Sequence, residues 1–359
     1  MPEIPQELAA RWRLGRAVHL GTRLSSTWRA EREPGQVVVK RVGDQALPDW
    51  PYELEFMESM RRAGWPVPEL VAEPEVRSDG VWLLLSWLPG QQADGTGSVG
   101  SALARGRLLA EFHAAAEATG ITRRRIGFPT LSGVVADSEL QTWLAVHEQR
   151  VPEEGALLRE CRQAVLARFA GCELTAAPMC VIHGDFAPWN LLFDDGRLSG
   201  VLDFEGCHYN LKVADFALAW RGGHDDVLRG YDAVRPLSEL EWRLVLPAYW
   251  AWLFLGVKDL LARTYGSTRD PRPVHLGWQI RQLRRRSGLL IARFGESYTY
   301  GGLNKTRSER GGSGLFEHPA RRYTASKSGG VMVWIGGPRG RVVIAVAVLV
   351  IIAPMIATH

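Results

Sequence analysis

The sequence predicts an α+β fold with two lobes, a small N-terminal lobe with an antiparallel sheet and one helix, and a larger, mainly helical C-terminal lobe. Short β-type runs with turns occupy residues 14–45 and recur at 81–85. From about residue 98 the apolar pattern becomes mainly helical, and two further β-type runs interrupt it at 179–202. Separate strand-rich and helix-rich stretches are typical of α+β proteins. The predicted boundaries are 1–88, 89–295 and a tail at 296–359.

The N-terminal lobe is predicted from three segments. Residues 37–42 are β-branched and predict a strand. Residues 51–63 predict a helix, because apolar side chains recur at helical spacing until Gly64 and the proline-containing segment 65–68 end it. The apolar run 81–85 predicts a buried strand.

The C-terminal lobe contains a predicted hairpin among its helices. Met179–Ile182 and Leu198–Leu202 read as strands, and Asp194–Gly196 lies between them as a turn. Long helical patterns follow Asp215, and the aromatic stretch 249–254 within them is expected to pack in the core.

Composition narrows the classes of partner. The net charge is +4, but the tail at 296–359 holds eight Lys/Arg and three Glu, which leaves the rest of the chain near neutral. Nucleic-acid binding is therefore not expected. The four cysteines form no CxxC pair, which argues against a zinc site or a disulfide framework. The N-terminus has no apolar signal-peptide core, so we expect a cytoplasmic protein.

The tail differs in composition from the lobes. Ten glycines fall between Gly301 and Gly340, as in a linker. The uncharged segment 342–357 follows, and its sixteen residues fall short of the about 20 that span a bilayer. We expect a disordered extension and leave a membrane anchor open.

The strongest chemical signal is HGDFAPWN at 183–190, followed by LDFE at 202–205. Asp185 and Asn190 lie on one tight loop after a strand, and Asp203 ends the next strand, so the three side chains are expected to face one cavity. Phosphoryl transfer needs a carboxylate beside the attacking hydroxyl and hard oxygen ligands for Mg²⁺. The alternative is a plain turn in which the aspartates act as caps.

Lys40 closes the first β-branched strand and is a candidate for binding nucleotide phosphates. A strand lysine needs an acidic partner for this, and Glu53, which opens the following helix, is the best placed. The alternative is that both are solvated surface charges.

Several further residues are expected to support the site. Asp215 is expected to brace the catalytic loop, His183 to fix it by a backbone hydrogen bond, and His113 to lie in the core. Residues 20–27 form a polar loop with one glycine, from which we infer position only. Residues 86–90 read equally well as a hinge between lobes or an ordinary loop.

These motifs resemble the aminoglycoside phosphotransferase family, the antibiotic-kinase and choline-kinase-like branch of the protein-kinase-like fold. The resemblance covers about residues 14–295. It implies Asp185 as catalytic base, Asn190 and Asp203 as Mg²⁺ ligands, and Lys40, held by Glu53, as the contact to ATP or GTP. Two departures are the glycine-poor loop and Glu205 at the place of a kinase glycine, where Glu205 is a candidate for a second metal or substrate contact.

The resulting hypothesis is a kinase that phosphorylates a hydroxyl of a small molecule, with an aminoglycoside-type antibiotic among the candidates. A cationic acceptor would need an acidic wall, and the acids considered for it are Asp225, Asp226, Asp232, Glu239 and Glu241. Alternatives are a metabolic kinase for homoserine, choline or a sugar, and a non-catalytic binding or immunity protein on the same fold. The oligomeric state is left open.

Overall fold

The computed structural model describes residues 3–22, 25–43, 49–92, 101–266 and 273–298. Its strands are β1 Ala17–Thr22, β2 Ser25–Arg32, β3 Gly35–Val42, β4 Leu70–Arg77, β5 Gly80–Ser86, β6 Gln91–Gln92, β7 Met179–Ile182, β8 Leu191–Asp194, β9 Arg197–Val201 and β10 His208–Leu211. Its α-helices are α1 Gln6–Arg11, α2 Trp50–Arg62, α3 Ala102–Ala118, α4 Leu131–Ala136, α5 Ser138–Arg150, α6 Pro152–Ala170, α7 Phe216–Trp220, α8 Asp225–Val234, α9 Glu239–Tyr265, α10 Gly277–Leu283 and α11 Gly288–Phe294.

The N-terminal region is a five-stranded antiparallel sheet in the order β1-β2-β3-β5-β4. Strand β3 is central, and its side chains alternate between the two faces. Val37 and Val39 pack in a cluster with Leu8 of α1, whereas Val42 packs in a cluster with Phe56 of α2. The same alternation places Lys40 on the face that α2 covers.

Helix α2 confirms the helix predicted at 51–63 and explains how Glu53 is buried. Phe56, Met57 and Met60 are buried at helical spacing from Glu53, so all four lie on the face that meets the sheet. Glu53 itself is only 1% exposed. The strands predicted at 37–42 and 81–85 are also present, as β3 and β5.

The C-terminal region is built around the 27-residue helix α9, which begins with a capping box between Ser238 and Glu241. Trp250 and Phe254 are fully buried, as the sequence predicted for this aromatic stretch. Within the described residues, α9 is the one helix long and apolar enough to cross a bilayer. Because 72% of its apolar window is buried within the protein, we interpret α9 as a core helix.

The predicted hairpin is wrong in its pairing. Strand β9 pairs with β8, which the sequence analysis missed, and β7 pairs with β10 instead. The turn at Asp194–Gly196 is present, with φ of 45° at Asp195 and 76° at Gly196, as a tight two-residue hairpin turn requires. The chain after β7 first forms the catalytic loop, and only then begins the hairpin.

Three predictions fall on other parts of the chain. Residues 23–24 of the polar loop, residues 299–359 of the tail and the apolar segment 342–357 lie outside the described residues. The lobe boundaries at 88 and 295 stay predictions.

Candidate active site

The loop 183–190, here called the catalytic loop, begins where β7 ends, and Asp215 holds it in place. The carboxylate of Asp215 accepts hydrogen bonds from the backbone N–H groups of His183 at 2.7 Å and Gly184 at 2.8 Å. His113 lies 3.0 Å from the same carboxylate and is fully buried. Burial raises the pKa of Asp215, but the contact with His113 outweighs it, and the pKa is lowered. The predicted bracing contacts of Asp215 are therefore present.

His183 joins the catalytic loop to the end of β9. Its Nδ1 accepts from the backbone N–H of Asp185 at 3.2 Å, and its Nε2 lies 3.0 Å from the carbonyl oxygen of Leu202. This pattern requires a neutral ring with the proton on Nε2. Burial lowers the pKa of His183 to about 4, which agrees with a neutral imidazole.

Gly184 allows the two halves of the site to approach each other. Its φ is +81°, and a Cβ at this position would lie 2.3 Å from the carbonyl oxygen of Gly206. No other residue type fits both the backbone conformation and the space. The loop that carries Asp185 therefore packs directly on the segment that follows Asp203.

The structure brings Asp185, Asn190 and Asp203 together, as predicted. The Asn190 amide donates to the carbonyl oxygen of Asp185 at 2.9 Å, and the Trp189 indole donates to the Asp185 carboxylate at 3.3 Å. The backbone of Leu202 pairs with the carbonyl of Asn190 at 2.8 Å. Asp203 has a left-handed backbone, with φ of 64°. Such conformations in non-glycine residues concentrate at functional sites.

Lys40 forms the predicted pair with Glu53. Its Nζ lies 2.7 Å from Glu53 Oε1 and 3.0 Å from Glu205 Oε1. Burial lowers the pKa of Lys40, but the two carboxylates outweigh it and the pKa is raised. Lys40 is 6% exposed, so the alternative of a solvated surface charge is wrong.

Three contributors to the site were missed or only partly foreseen. Glu205, considered above as a second metal or substrate contact, is the second partner of Lys40, and it accepts a hydrogen bond from Ser25. Arg125 is 2% exposed and donates to the carbonyl oxygens of Asp49, Glu205 and Cys207. Arg125 lies 80 residues from Glu205 in the chain, so no local pattern could have indicated this contact.

The acids considered as a wall for a cationic acceptor each have another partner in the structure. Asp225 accepts from Trp220 and Ser287, Asp226 pairs with Arg229, Asp232 accepts from the backbone of Leu237, Glu239 pairs with Arg243 and Arg293, and Glu241 closes the capping box of α9. These are caps, braces and surface ion pairs.

The residues present fit a Mg²⁺ ion that also binds phosphate. Within the described residues, no group of three or more His, Cys, Asp or Glu side chains forms a ready metal site. Mg²⁺ in kinases instead takes one or two protein oxygen ligands and completes its shell with phosphates and water. Asn190 and Asp203 offer such a set. Burial and the charge of Glu205 raise the pKa of Asp203 to about 7, a situation that a cation would relieve.

Comparison with curated proteins finds sequence relatives that are named homoserine kinases. The chain is 29% identical to that of Granulibacter bethesdensis over 54% of this chain and 63% of the relative. It is 29% identical to that of Acidiphilium cryptum over 62% of this chain and 72% of the relative. The chain thus matches about two thirds of the length of these relatives.

Solved structures share the fold. An amicoumacin kinase in complex with AMP-PNP, Ca²⁺ and amicoumacin has a TM-score of 0.57 at 12% identity, over 84% of this chain and 93% of that one. A thermostable aminoglycoside phosphotransferase in complex with ADP and hygromycin B has a TM-score of 0.54 at 14% identity, over 73% and 92%. These similarities show the predicted protein-kinase-like fold.

The sequence also matches a family model. The model is that of the phosphotransferase enzyme family, and the match covers residues 17–247, more than half of the chain. The matched region runs from β1 into α9 and contains Lys40, Glu53, Asp185, Asn190 and Asp203. The chain therefore belongs to the phosphotransferase enzyme family.

Proposed function

We propose that this protein is a small-molecule kinase that transfers the γ-phosphate of ATP or GTP to a hydroxyl group. The observation that carries the proposal is the meeting of Asp185, Asn190 and Asp203 beside the buried ion pair of Lys40 and Glu53. The carboxylate of Asp203 contributes to the raised pKa of Lys40, so the group of Asp185, Asn190 and Asp203 interacts electrostatically with the ion pair of Lys40 and Glu53.

Asp185 acts as the base in this proposal. As the acceptor oxygen forms its bond to the γ-phosphorus, the bond between that phosphorus and the β–γ bridging oxygen breaks, and the hydroxyl proton passes to Asp185. The hydrogen bond from Trp189 and the fixed backbone of the loop orient the carboxylate. The products are a phosphate monoester and a nucleoside diphosphate.

In this proposal, Asn190 and Asp203 are the residues that would hold Mg²⁺. The ion neutralises charge on the nucleotide when it is bound. Lys40 contributes a second, fixed positive charge, which Glu53 and Glu205 keep in position. Residues 86–90 begin with the last residue of β5 and precede the helical region, so we assign the adenine or guanine edge to their backbone. The complex of the amicoumacin kinase with AMP-PNP and Ca²⁺ supports nucleotide and metal use.

The acceptor has two candidate classes. The names of the sequence relatives favour homoserine. The structural neighbour with hygromycin B favours an aminoglycoside, but the acids once considered for binding such a cation are engaged in other contacts. We therefore place homoserine first and aminoglycosides second.

Turnover of ATP and GTP with Mg²⁺ against a panel of hydroxylated acceptors tests the proposal. Asp185→Asn should lower kcat about 10²- to 10⁴-fold with nucleotide binding nearly unchanged, since it removes the base alone. Asp203→Asn should abolish Mg²⁺-dependent nucleotide binding. Asp195→Asn is the matched control, because Asp195 lies exposed in the β8–β9 turn, where Asn tolerates the positive φ. Equal, mild losses in both site variants would contradict the assigned roles.

A further inference from the structure

A group of positive side chains, Arg221 and Arg285, lies beside Trp189 of the catalytic loop. The guanidinium carbon of Arg221 lies 5.0 Å from the centre of the Trp189 ring, and the Trp189 indole donates to the Asp185 carboxylate. Arg285, which follows α10, donates to the carbonyl oxygen of Arg221 at 2.6 Å. One aromatic ring therefore separates this positive group from the proposed base.

The backbone around Arg221 is shaped to place this side chain. Arg221 ends α7 in a left-handed conformation with φ of 53° and ψ of 34°. Gly222 continues the turn with φ of +71°, and a Cβ there would lie 2.6 Å from the ring of Tyr249. A left-handed arginine is unfavourable and persists only where its surroundings impose it, which is frequent at ligand sites.

Among the described residues, no carboxylate forms a close ion pair with this group, although the charge of Asp185 acts on Arg221 from a longer distance, in the direction that raises its pKa. Within the described part of the chain, neither Arg221 nor Arg285 forms a salt bridge, whereas the nearby Arg229 pairs with Asp226. Burial and the charge of Arg285 lower the pKa of Arg221, and burial together with Arg221 lowers that of Arg105. Positive groups that destabilise one another are an arrangement that a bound anion would stabilise.

We propose that Arg221 and Arg285 bind a carboxylate of the acceptor, so that the substrate is a small hydroxy acid whose hydroxyl lies at Asp185. This inference rests on the proposed phosphotransfer. A planar guanidinium binds a carboxylate through paired hydrogen bonds, and the same groups repel a polycationic amino sugar. The inference favours homoserine over an aminoglycoside on the electrostatics of this site, independently of the relatives' names.

The test measures phosphate transfer to matched acids and neutral amides. The probes are L-homoserine, L-serine and D-glycerate, each beside its amide, with 2-deoxystreptamine as the cationic acceptor. The wild type should phosphorylate at least one acid and prefer it to its amide. Arg221→Gln and Arg285→Gln should each raise the KM for that acid at least about tenfold, since hydrogen bonds to a charged group contribute about 1.5–3 kcal/mol. The nucleotide KM should stay unchanged.

Controls separate binding from folding. Arg229→Gln removes an exposed positive charge from the same lobe and should leave both KM values unchanged. Arg285→Lys should recover part of the loss, and equal melting temperatures should show that the variants fold. Arg285 is exposed, so its substitution is the safer of the two for folding.

The outcomes distinguish the inference from the proposed function. Transfer to the amides or to 2-deoxystreptamine, but not preferentially to the acids, would overturn the inference and leave the kinase assignment standing. A raised nucleotide KM with an unchanged acceptor KM would also overturn it, because the arginines would then bind phosphate. No transfer to any probe or to the wider acceptor panel would overturn the proposed function and the inference together.

Discussion

Two regions of the site differ in how their positive charge is neutralised. They are the nucleotide side, which contains Lys40, and the proposed acceptor side, which contains Arg221 and Arg285. On the nucleotide side, Lys40 is buried between Glu53 at 2.7 Å and Glu205 at 3.0 Å. On the acceptor side, Arg221 and Arg285 form no salt bridge with the residues that the structure describes. The charge of Lys40 is held by carboxylates of the protein itself, whereas Arg221 and Arg285 would form their ion pair with a bound acceptor. Lys40 should therefore govern catalysis, and the two arginines should govern selection of the acceptor.

Among the variants that test this comparison, Lys40→Met is expected to have the largest effect. This change removes the fixed charge that faces the phosphates and should lower kcat/KM about 10²- to 10³-fold, in the range measured for a lost preorganised electrostatic contact. The nucleotide KM should rise, while the acceptor KM should stay the same. Steady-state kinetics with both substrates varied would measure the split.

Lys40→Arg is the matched control for charge. It keeps the charge, but a planar guanidinium does not match a site built for a compact ammonium between two carboxylates. We expect partial activity. An acceptor KM that rises with either variant, at constant nucleotide KM, would contradict the assignment of Lys40 to the nucleotide.

Arg125 tests how the nucleotide side is held together. Arg125→Met leaves the buried carbonyl groups of Glu205 and Cys207 without their shared donor, so the free energy of unfolding should fall by about 3 kcal/mol. Urea unfolding would measure this. Arg123→Met is the control from the same segment, because Arg123 is half exposed in its ion pairs and its loss should cost about 1 kcal/mol or less.

The sequence predicted the elements whose formation depends on residues that are close together in the chain. The strand of Lys40, the helix of Glu53 and the loop from His183 to Asn190 follow from β-branched runs, helical periodicity and a compact motif, and all are present. Strand β8 was missed because LLFD contains no β-branched residue, whereas the equally short β7 contains Val181 and Ile182. The pairing of β7 with β10 was missed for a different reason, since the residue pattern of a strand does not indicate which strand it pairs with.

Contacts between distant parts of the chain could not be predicted. Ser25 reaches Glu205 across 180 residues, and Arg125 reaches it across 80. The same applies to the acceptor side, where Arg221 looks like an ordinary residue after a helix. Its role follows only from its left-handed backbone and from its contact with Trp189.

A smaller effect is expected from His183, which lies between the two sides. Its pKa is about 4 in the folded protein and about 6.5 unfolded, so the unfolded chain takes up the proton first as the pH falls. Stability is therefore lost from about pH 6.5 downwards, by about 2 kcal/mol at pH 5 relative to pH 7. The charge of Asp215 raises the pKa of His183 and His113 lowers it, but burial is the largest cause.

Unfolding at pH 7 and pH 5 would measure this change. Burial also lowers the pKa of His208 to about 4, so His208 adds to the slope of the wild type. The informative quantity is therefore the difference between the wild type and His183→Asn, which should have the shallower slope. His275→Asn, at an exposed position, should keep the wild-type slope. A slope unaffected by His183→Asn would mean that His183 is not held neutral by the fold.

The smallest effect is expected from Asp226→Asn. Asp226 is an exposed acid paired with Arg229 at 2.8 Å, so its loss should cost at most about 1 kcal/mol of stability and leave the acceptor KM unchanged. The absence of an effect is informative, because neutralising an acid that binds a cationic acceptor would raise the KM for an amino sugar. If that KM rises in Asp226→Asn while Arg285→Gln has no effect on any acid, the acceptor side binds cations. The unpaired arginines would then be a structural feature of the turn after α7 and would not select the substrate.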